Sequence, residues 1–392
     1  MNFGFYIILL AQFLSALADN ALLFAAIALL QEISAPDWHI PLLQEFFVIS
    51  YIVLAPFVGS FADAFPKGRV MFVSNAIKFI GSTAMMLGVP PLYAYGIVGI
   101  GAAAYSPAKY GILTEYLPPH MLVKANGWME GSTVMAIILG AIIGGKLASI
   151  DPHMTMVVIT VLYMAAAGFN IYIPRLPIDH KLPKKNPIYV FRDFWHSFKA
   201  LWRDPQGQVS LAVTTLFWGA GATLRLVVLA WAAFALDFGI EHSTQLTATV
   251  AIGIAVGSIL AGRYITLENS VKVLPAGIIM GILVMAMVLV HDWRVACALL
   301  FVIGVLSGYF VVPLNALLQH RGHILIGAGH SIAVQNFNEN LGILVLIGVY
   351  TLMVKAEMSI NLIVLAFGLF VSVSMTGIYK LYKHQVQSAS SK

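Results

Sequence analysis

Charge is what this 392-residue sequence has least of: only 10% of its residues are Asp, Glu, Lys or Arg. A soluble domain carries about 25%. With 60% apolar residues and a mean hydropathy of +0.88, a soluble globule would have to hide more chain than one core accommodates. That excludes an ordinary cytosolic enzyme, a DNA-binding module and a disordered scaffold. Cysteine is nearly absent, and the single Cys297 excludes an intramolecular disulfide framework and a cysteine-rich zinc site. The 11 histidines show no His-Glu-x-x-His or other zinc-ligand spacing. There is no Gly-x-Ser-x-Gly elbow. No His is followed five residues later by Asp, the pair a glycerolipid acyltransferase needs. Gly140 to Lys146 opens like a phosphate-binding loop, but Leu147 stands where Ser or Thr is required. No enzyme activity, metal or cofactor is therefore expected. The net charge of +5 reads as loop charge that orients a membrane protein, not as a nucleic-acid footprint.

What the sequence does have is long apolar runs. A helix needs about 20 apolar residues to cross the hydrocarbon core. Twelve such runs lie near 5–30, 42–62, 70–89, 92–112, 123–148, 154–173, 209–236, 244–265, 271–290, 294–317, 328–353 and 359–379. Ala16-Leu17-Ala18 resembles a signal-peptidase site. The first residues carry no Lys or Arg and the apolar run continues to Leu30, so an uncleaved first span is expected. With the N-terminus inside, 16 of the 22 basic residues fall in cytoplasmic segments and three in outer ones. The bias predicts both termini in the cytoplasm and an even number of spans. The expectation is an all-α membrane protein with twelve transmembrane helices.

The longest polar stretch, 174–207, holds seven basic residues, Lys181, Lys184 and Lys185 among them. It divides the chain into residues 1–173, a linker, and residues 208–392, with six spans on either side. Within it Phe191, Phe194, Trp195, Phe198 and Trp202 recur at helical spacing opposite Arg192, Asp193, His196, Lys199 and Arg203. This predicts an amphipathic helix on the cytoplasmic leaflet. A shift of 206 residues superimposes Asp19 on Arg225, Pro107 on Pro313 and Glu130 on Asn336. Two pseudo-symmetric six-helix bundles joined by a cytoplasmic linker is the layout of the major facilitator transporters, whose substrate sites lie near the midplane.

Charges inside spans are costly, roughly 2.5–3.5 kcal/mol even on lenient scales, so they face a cavity or a partner. Asp19, beside Asn20, and Arg225 fall near the middle of their spans, and either a structural salt bridge between them or a substrate or gating role would satisfy both. Asn126 and Glu130 share one face of their span. Gln335, Asn336 and Glu339 belong to a run with four amides that cannot face lipid. It lines a cavity or glues helices together. Lys109 is a gate-side or substrate contact, and Lys78 snorkels or pairs. The segment Gly59, Asp63, Lys67, Gly68, Arg69 resembles the facilitator loop motif, with the Gly-basic pair two residues late and Ala64 in place of the first basic residue. Asp63, Lys67 and Arg69 are read as a gating latch. Gly131, Gly140 and Gly144 follow the glycine spacing of facilitator exporters, although Gly145 stands where proline is usual. Close helix packing accounts equally well for those glycines.

Ala11 to Ala16, Asp19 to Phe24, Gly101 to Leu113 and Leu122 to Gly127 resemble the bacterial lysophospholipid transporter (LplT) family. So do Leu216 to Gly221 with Thr223-Leu224-Arg225, Val311 to Gln319 and Ile332 to Asn336. The resemblance covers nearly all the spans and is weakest in the linker and C-terminal tail. It implies a monomeric inner-membrane facilitator. Such a protein flips lysophospholipids, chiefly lysophosphatidylethanolamine, to the inner leaflet, where a cytoplasmic acyltransferase–acyl-carrier-protein synthetase re-acylates them. On this view Arg225 takes the phosphate of the head group, bidentately, and Asp19 or Glu339 takes its ammonium. The alternative is a proton-coupled drug or amphiphile exporter in which Asp19, Glu130 or Glu339 titrates.

Overall fold

The computed structural model describes residues 3–35, 39–177 and 186–390. Lys181, Lys184 and Lys185 of the linker lie outside the described residues. Thirteen α-helices follow in order among those residues. They are α1 (Phe3–Glu32), α2 (His39–Ala64), α3 (Lys67–Met86), α4 (Pro91–Tyr116), α5 (Leu122–Ile150), α6 (Pro152–Ile171) and α7 (Pro187–Arg203). Then come α8 (Pro205–Ala235), α9 (Ile240–Tyr264), α10 (Leu274–Ala286), α11 (Trp293–Ile326), α12 (Ala328–Lys355) and α13 (Ile360–Ser390). Helix is the element the composition demands, because lipid offers no partner to a free backbone group. Ten segments are long and apolar enough to cross a membrane. The other two long helices, α3 and α4, are diluted by Ser74, Asn75, Lys78, Ser106 and Lys109. α7 is the helix expected in the linker. The run near 271–290 is not one smooth helix. It enters and leaves α10 through the 3-10 turns Leu267–Val273 and Met287–Leu289.

Caps show how the sequence sets helix starts. Asp151 accepts from the backbone N–H groups of His153 and Met154 at the head of α6. Asp204 accepts from Gly207 N–H at the head of α8. Pro152 and Pro205 follow them in the first turn, where a missing N–H costs nothing.

The chain folds into two compact units that do not follow the sequence order. The first comprises Met1–Leu117, Met135–Lys199 and Gly322–Phe337, and the second Pro118–Val134, Ala200–Arg321 and Asn338–Lys392. α5 and α12 therefore each contribute one end to either unit. In the first, α3 packs against α4 and α6, α2 against α4, and α1 against α6. Leu22, Leu29, Val98, Ile159 and Tyr163 belong to one buried cluster of this unit. In the second, α13 packs against α8 and α10, and α8 against α9.

Part of the aromatic stripe of the linker helix packs on protein, while Phe191 stays 47% exposed. Phe194, Trp195 and Phe198 meet Phe337 of α12 edge-on at 5.6, 5.9 and 6.1 Å between ring centres. Phe194 and Leu201 are buried.

Two of the three spaced glycines of α5, Gly140 and Gly144, find their reason at α1, while Gly131 faces Ile259. A side chain at Gly144 would run into the backbone of Ala21, and one at Gly140 into Leu17 and Asn20. Gly168 of α6 faces open space. Gly144→Leu should therefore lower stability by about 1–3 kcal/mol, the cost of overpacking. Gly168→Ala should match or exceed the parent, because alanine favours helix. Thermal midpoints of the two variants, read by size-exclusion fluorescence, check the contrast.

Candidate functional site

At mid-length of α1, Ser15 and Asp19 stand one turn apart on one face. Asn75 and Lys78 do the same on α3. Lys78 Nζ donates to Asp19 Oδ2 at 2.7 Å and to Ser15 Oγ at 3.0 Å. Ser15 Oγ donates to Asn75 Oδ1 at 2.7 Å, and Tyr163 OH of α6 donates to Asp19 Oδ1 at 2.8 Å. The ammonium also lies 4.8 Å from the Tyr105 ring centre and 5.8 Å from that of Tyr163, within range of cation–π attraction. Gly101 of α4 lets the Lys78 stem lie against its backbone, since a methyl there would strike the Lys78 side chain and Ser74 carbonyl. Lys78 is sealed at 1% exposure while Asp19 keeps 21%. The pair thus shows one carboxylate edge outward and hides its cation. Asn20 donates its amide to Ala16 carbonyl at 2.8 Å, a bond within α1.

Within the first unit the partner of Asp19 is Lys78. Arg225 stands exposed on α8 in the second unit and makes no ion pair among the described residues.

The Asp63 motif forms a second cluster in the first unit. Asp63 closes α2 and reaches the first turn of α12, 267 residues away, accepting from Gly329 N–H at 2.7 Å and His330 N–H at 3.0 Å. A carboxylate at a helix N-terminus satisfies orphan donors and meets the positive end of the dipole. His330 Nδ1 lies 2.6 Å from Asp63 Oδ2, and its Nε2 lies 3.1 Å from Asp193 of α7 and 3.1 Å from Ser60 Oγ. Lys67 bridges Asp63 at 2.7 Å and Glu115 of α4 at 3.0 Å. Asp63, Lys67 and His330 are all buried. Arg69 is exposed and joins no ion pair among the described residues. Lys109 rests over the Tyr110 ring at 4.1 Å. The hydrogen bond from His330 outweighs partial burial and holds the Asp193 carboxyl below the usual carboxylate range. On the Asp193 side that contact persists at neutral pH and weakens as pH falls through the lowered value.

In the second unit Asn126 and Gln319 exchange two amide hydrogen bonds, both 2.8 Å, joining α5 to α11. Arg321 pairs with Asp204 through both guanidinium and carboxylate atoms. Burial pushes the Asp204 carboxyl up, but the bonds from Arg321 and Gly207 N–H outweigh it and leave the group below the usual range. Glu130 and Glu339 are buried in this unit, as Gln335 and Asn336 are in the first, where Asn336 Nδ2 donates to Ser106 Oγ at 2.9 Å.

The eight residues expected to bind substrate thus divide between the units. Asp19, Asn20, Gln335 and Asn336 belong to the first, and Asn126, Glu130, Arg225 and Glu339 to the second. Sequence reasoning did not single out Ser15, Asn75, Tyr163, His330 or Gln319, and placed Asp193 only on the polar face of the linker helix. Asn75 and Lys78, three apart within an apolar run, were a usable signal for the first cluster. Nothing local marked His330.

A buried ion pair is costly to break and cheap to remove whole. Lys78→Met should destabilise by about 3–5 kcal/mol. Adding Asp19→Asn should recover most of that loss. A double-mutant cycle on the thermal midpoint, with no recovery in the double variant, would show that Asp19 and Lys78 are not coupled.

Comparison with known proteins places the chain. The profile of the Major Facilitator Superfamily matches residues 8–347. The human organic anion transporter MFSD10 superposes with a TM-score of 0.73 at 14% identity, over 97% of this chain and 99% of that one. FucP, in its outward conformation, gives 0.76 at 14% identity, over 97% and 98%. At that identity they speak for the fold. Curated relatives are far nearer. The lysophospholipid transporter LplT of Serratia proteamaculans is 49% identical over 349 residues, 89% of this chain and 88% of that one. Its Escherichia coli counterpart is 46% identical over 377 residues, 96% and 95%. The chain is therefore a multi-pass membrane protein of the major facilitator superfamily and belongs to its lysophospholipid transporter family, LplT.

Proposed function

We propose that this protein carries lysophospholipids, chiefly lysophosphatidylethanolamine, from the outer to the inner leaflet of the bacterial inner membrane. The reading rests on identity of 46–49% to curated lysophospholipid transporters along nearly the whole chain. Twelve spans follow if α3 and α4 cross the membrane with the ten apolar segments. Both termini then face the cytoplasm, on the side that holds most Lys and Arg. Residues 1–173 and 208–392 supply six spans each, and 174–207 links them. The protein works as a monomer. Its product goes to a cytoplasmic acyltransferase–acyl-carrier-protein synthetase.

Chemistry assigns the head group. Arg225 has no carboxylate partner among the described residues, so a phosphate arriving there meets a guanidinium with its fork free. The ammonium goes to the open edge of Asp19, whose orientation Lys78 and Tyr163 already fix, or to Glu339. Asn20, Asn126, Glu130, Gln335 and Asn336 complete the polar lining. Asp63 and Lys67, with Arg69 and Lys109, act on the conformational cycle and not on the lipid.

Uptake of radiolabelled lysophosphatidylethanolamine by spheroplasts, with and without the protein, tests this. Arg225→Gln should cut uptake more than about tenfold, and Arg225→Lys should restore only part, because an ammonium cannot bind phosphate in a fork. Unchanged lysolipid uptake without the protein, alongside dye efflux driven by a pH gradient, would favour an exporter. Asp63→Asn should slow uptake several-fold and leave equilibrium lysolipid affinity nearly unchanged. A large loss of binding in that variant would move Asp63 into the substrate site.

A further inference from the structure

The second unit contains a cleft that the transport reading leaves unused. It has a volume of about 370 Å³ and is lined by Lys124, Gly127 and Trp128 of α5 and by Ile259, Gly262 and Arg263 of α9. That is large enough for a small ligand or a head group. Glycines build it. Gly127 packs on the Ser258 carbonyl, and Gly262 on the Lys124 backbone, so the two helices touch there and the larger neighbours stand apart on either side.

Its chemistry is lopsided. Lys124 and Arg263 put two positive charges into the lining, and no Asp or Glu is among the lining residues. Among the described residues neither cation forms an ion pair, and Arg263 lies 5.7 Å from the ring centre of Tyr264. Trp128 and Ile259 are about half exposed, at 47% and 54%, and give the cleft an apolar flank. Lys124 sits at the first turn of α5 and Arg263 at the last turn of α9. Those two helix ends lie at the same membrane surface, and the charge bias makes it the cytoplasmic one. Tryptophan belongs at that depth, level with the head groups.

We propose that this cleft binds an anionic diacyl phospholipid of the cytoplasmic leaflet, with the phosphodiester between Lys124 and Arg263 and an acyl chain along Trp128 and Ile259. Two cations with no carboxylate in the lining favour a net negative head group over a zwitterionic one. Basic pockets between helices on the cytoplasmic side recognise lipids in this way. The bound lipid is a fixed component at the α5–α9 crossing and not the transported cargo.

Native mass spectrometry of the purified full chain tests the proposal. Given equal phosphatidylglycerol and phosphatidylethanolamine, the protein should retain the anionic lipid by about tenfold. Lys124→Gln with Arg263→Gln should bring the ratio near one, while Lys272→Gln with Arg294→Gln, two exposed cations outside the cleft, should leave it unchanged. Should the cleft variant not fold, the same ratio on the unmodified protein must fall between about 0.05 and 0.5 M salt as the charges are screened. An undiminished preference in the cleft variant, or in high salt, overturns the proposal. So does the absence of any preference in the parent. Displacement of the lipid by millimolar glycerol phosphate would assign the cleft to a soluble phosphate instead. The readout is binding, so its failure leaves the transport reading untouched.

Discussion

A carboxylate placed among apolar helices must find a partner or carry a penalty of several kcal/mol. Asp19 is the clearest case. It lies at mid-length of α1, and the first unit is arranged around it. Lys78 comes from α3 and Tyr163 from α6, Ser15 and Asn75 extend the network, and Gly101 clears room on α4 for the lysine stem. One charge ties three helices, α1, α3 and α6, and α4 packs against the lysine stem. Apolar contact alone could not do this, because hydrocarbon side chains are as content against lipid as against each other. The polar atoms supply register, and the small residues let the helices come close enough to use it.

The same rule operates at helix ends. The first turn of α12 has N–H groups that need acceptors, and Asp63 supplies them from α2. His330 then ties that carboxylate to Asp193 on α7. The linker helix is thereby held twice, by an ion pair and by its aromatic stripe against Phe337. Segments remote in sequence are thereby joined through polar contacts. On the proposed gating reading these are the contacts that open, whereas a greasy interface of equal area would open onto exposed apolar surface.

Helix placement was legible because hydropathy and length respond to the membrane alone. The position of Asp63 was legible because a helix–loop–helix junction has local spacing. Partners were not. The half-repeat offset related Asp19 to Arg225 by symmetry of position, but which cation reaches Asp19 within its unit depends on which helices are neighbours, and α1 lies in one unit with α3 and α6. Periodicity cannot report neighbours. The aromatic stripe of α7 was silent about its neighbours for a related reason. An amphipathic helix has the same pattern whether lipid or Phe337 covers it. His330 stood unmarked because its partners Asp63 and Asp193 are 267 and 137 positions away.

The charges differ in whether the protein already satisfies them. Lys67, Lys78 and Arg321 each have a carboxylate within bonding distance. Their free energy is committed to the fold, and a ligand would have to displace an existing partner to use them. Arg225 is exposed and holds no such bond among the described residues. On the proposed transport reading Arg225 is the cation left open to an incoming phosphate, which its guanidinium can bind as a fork.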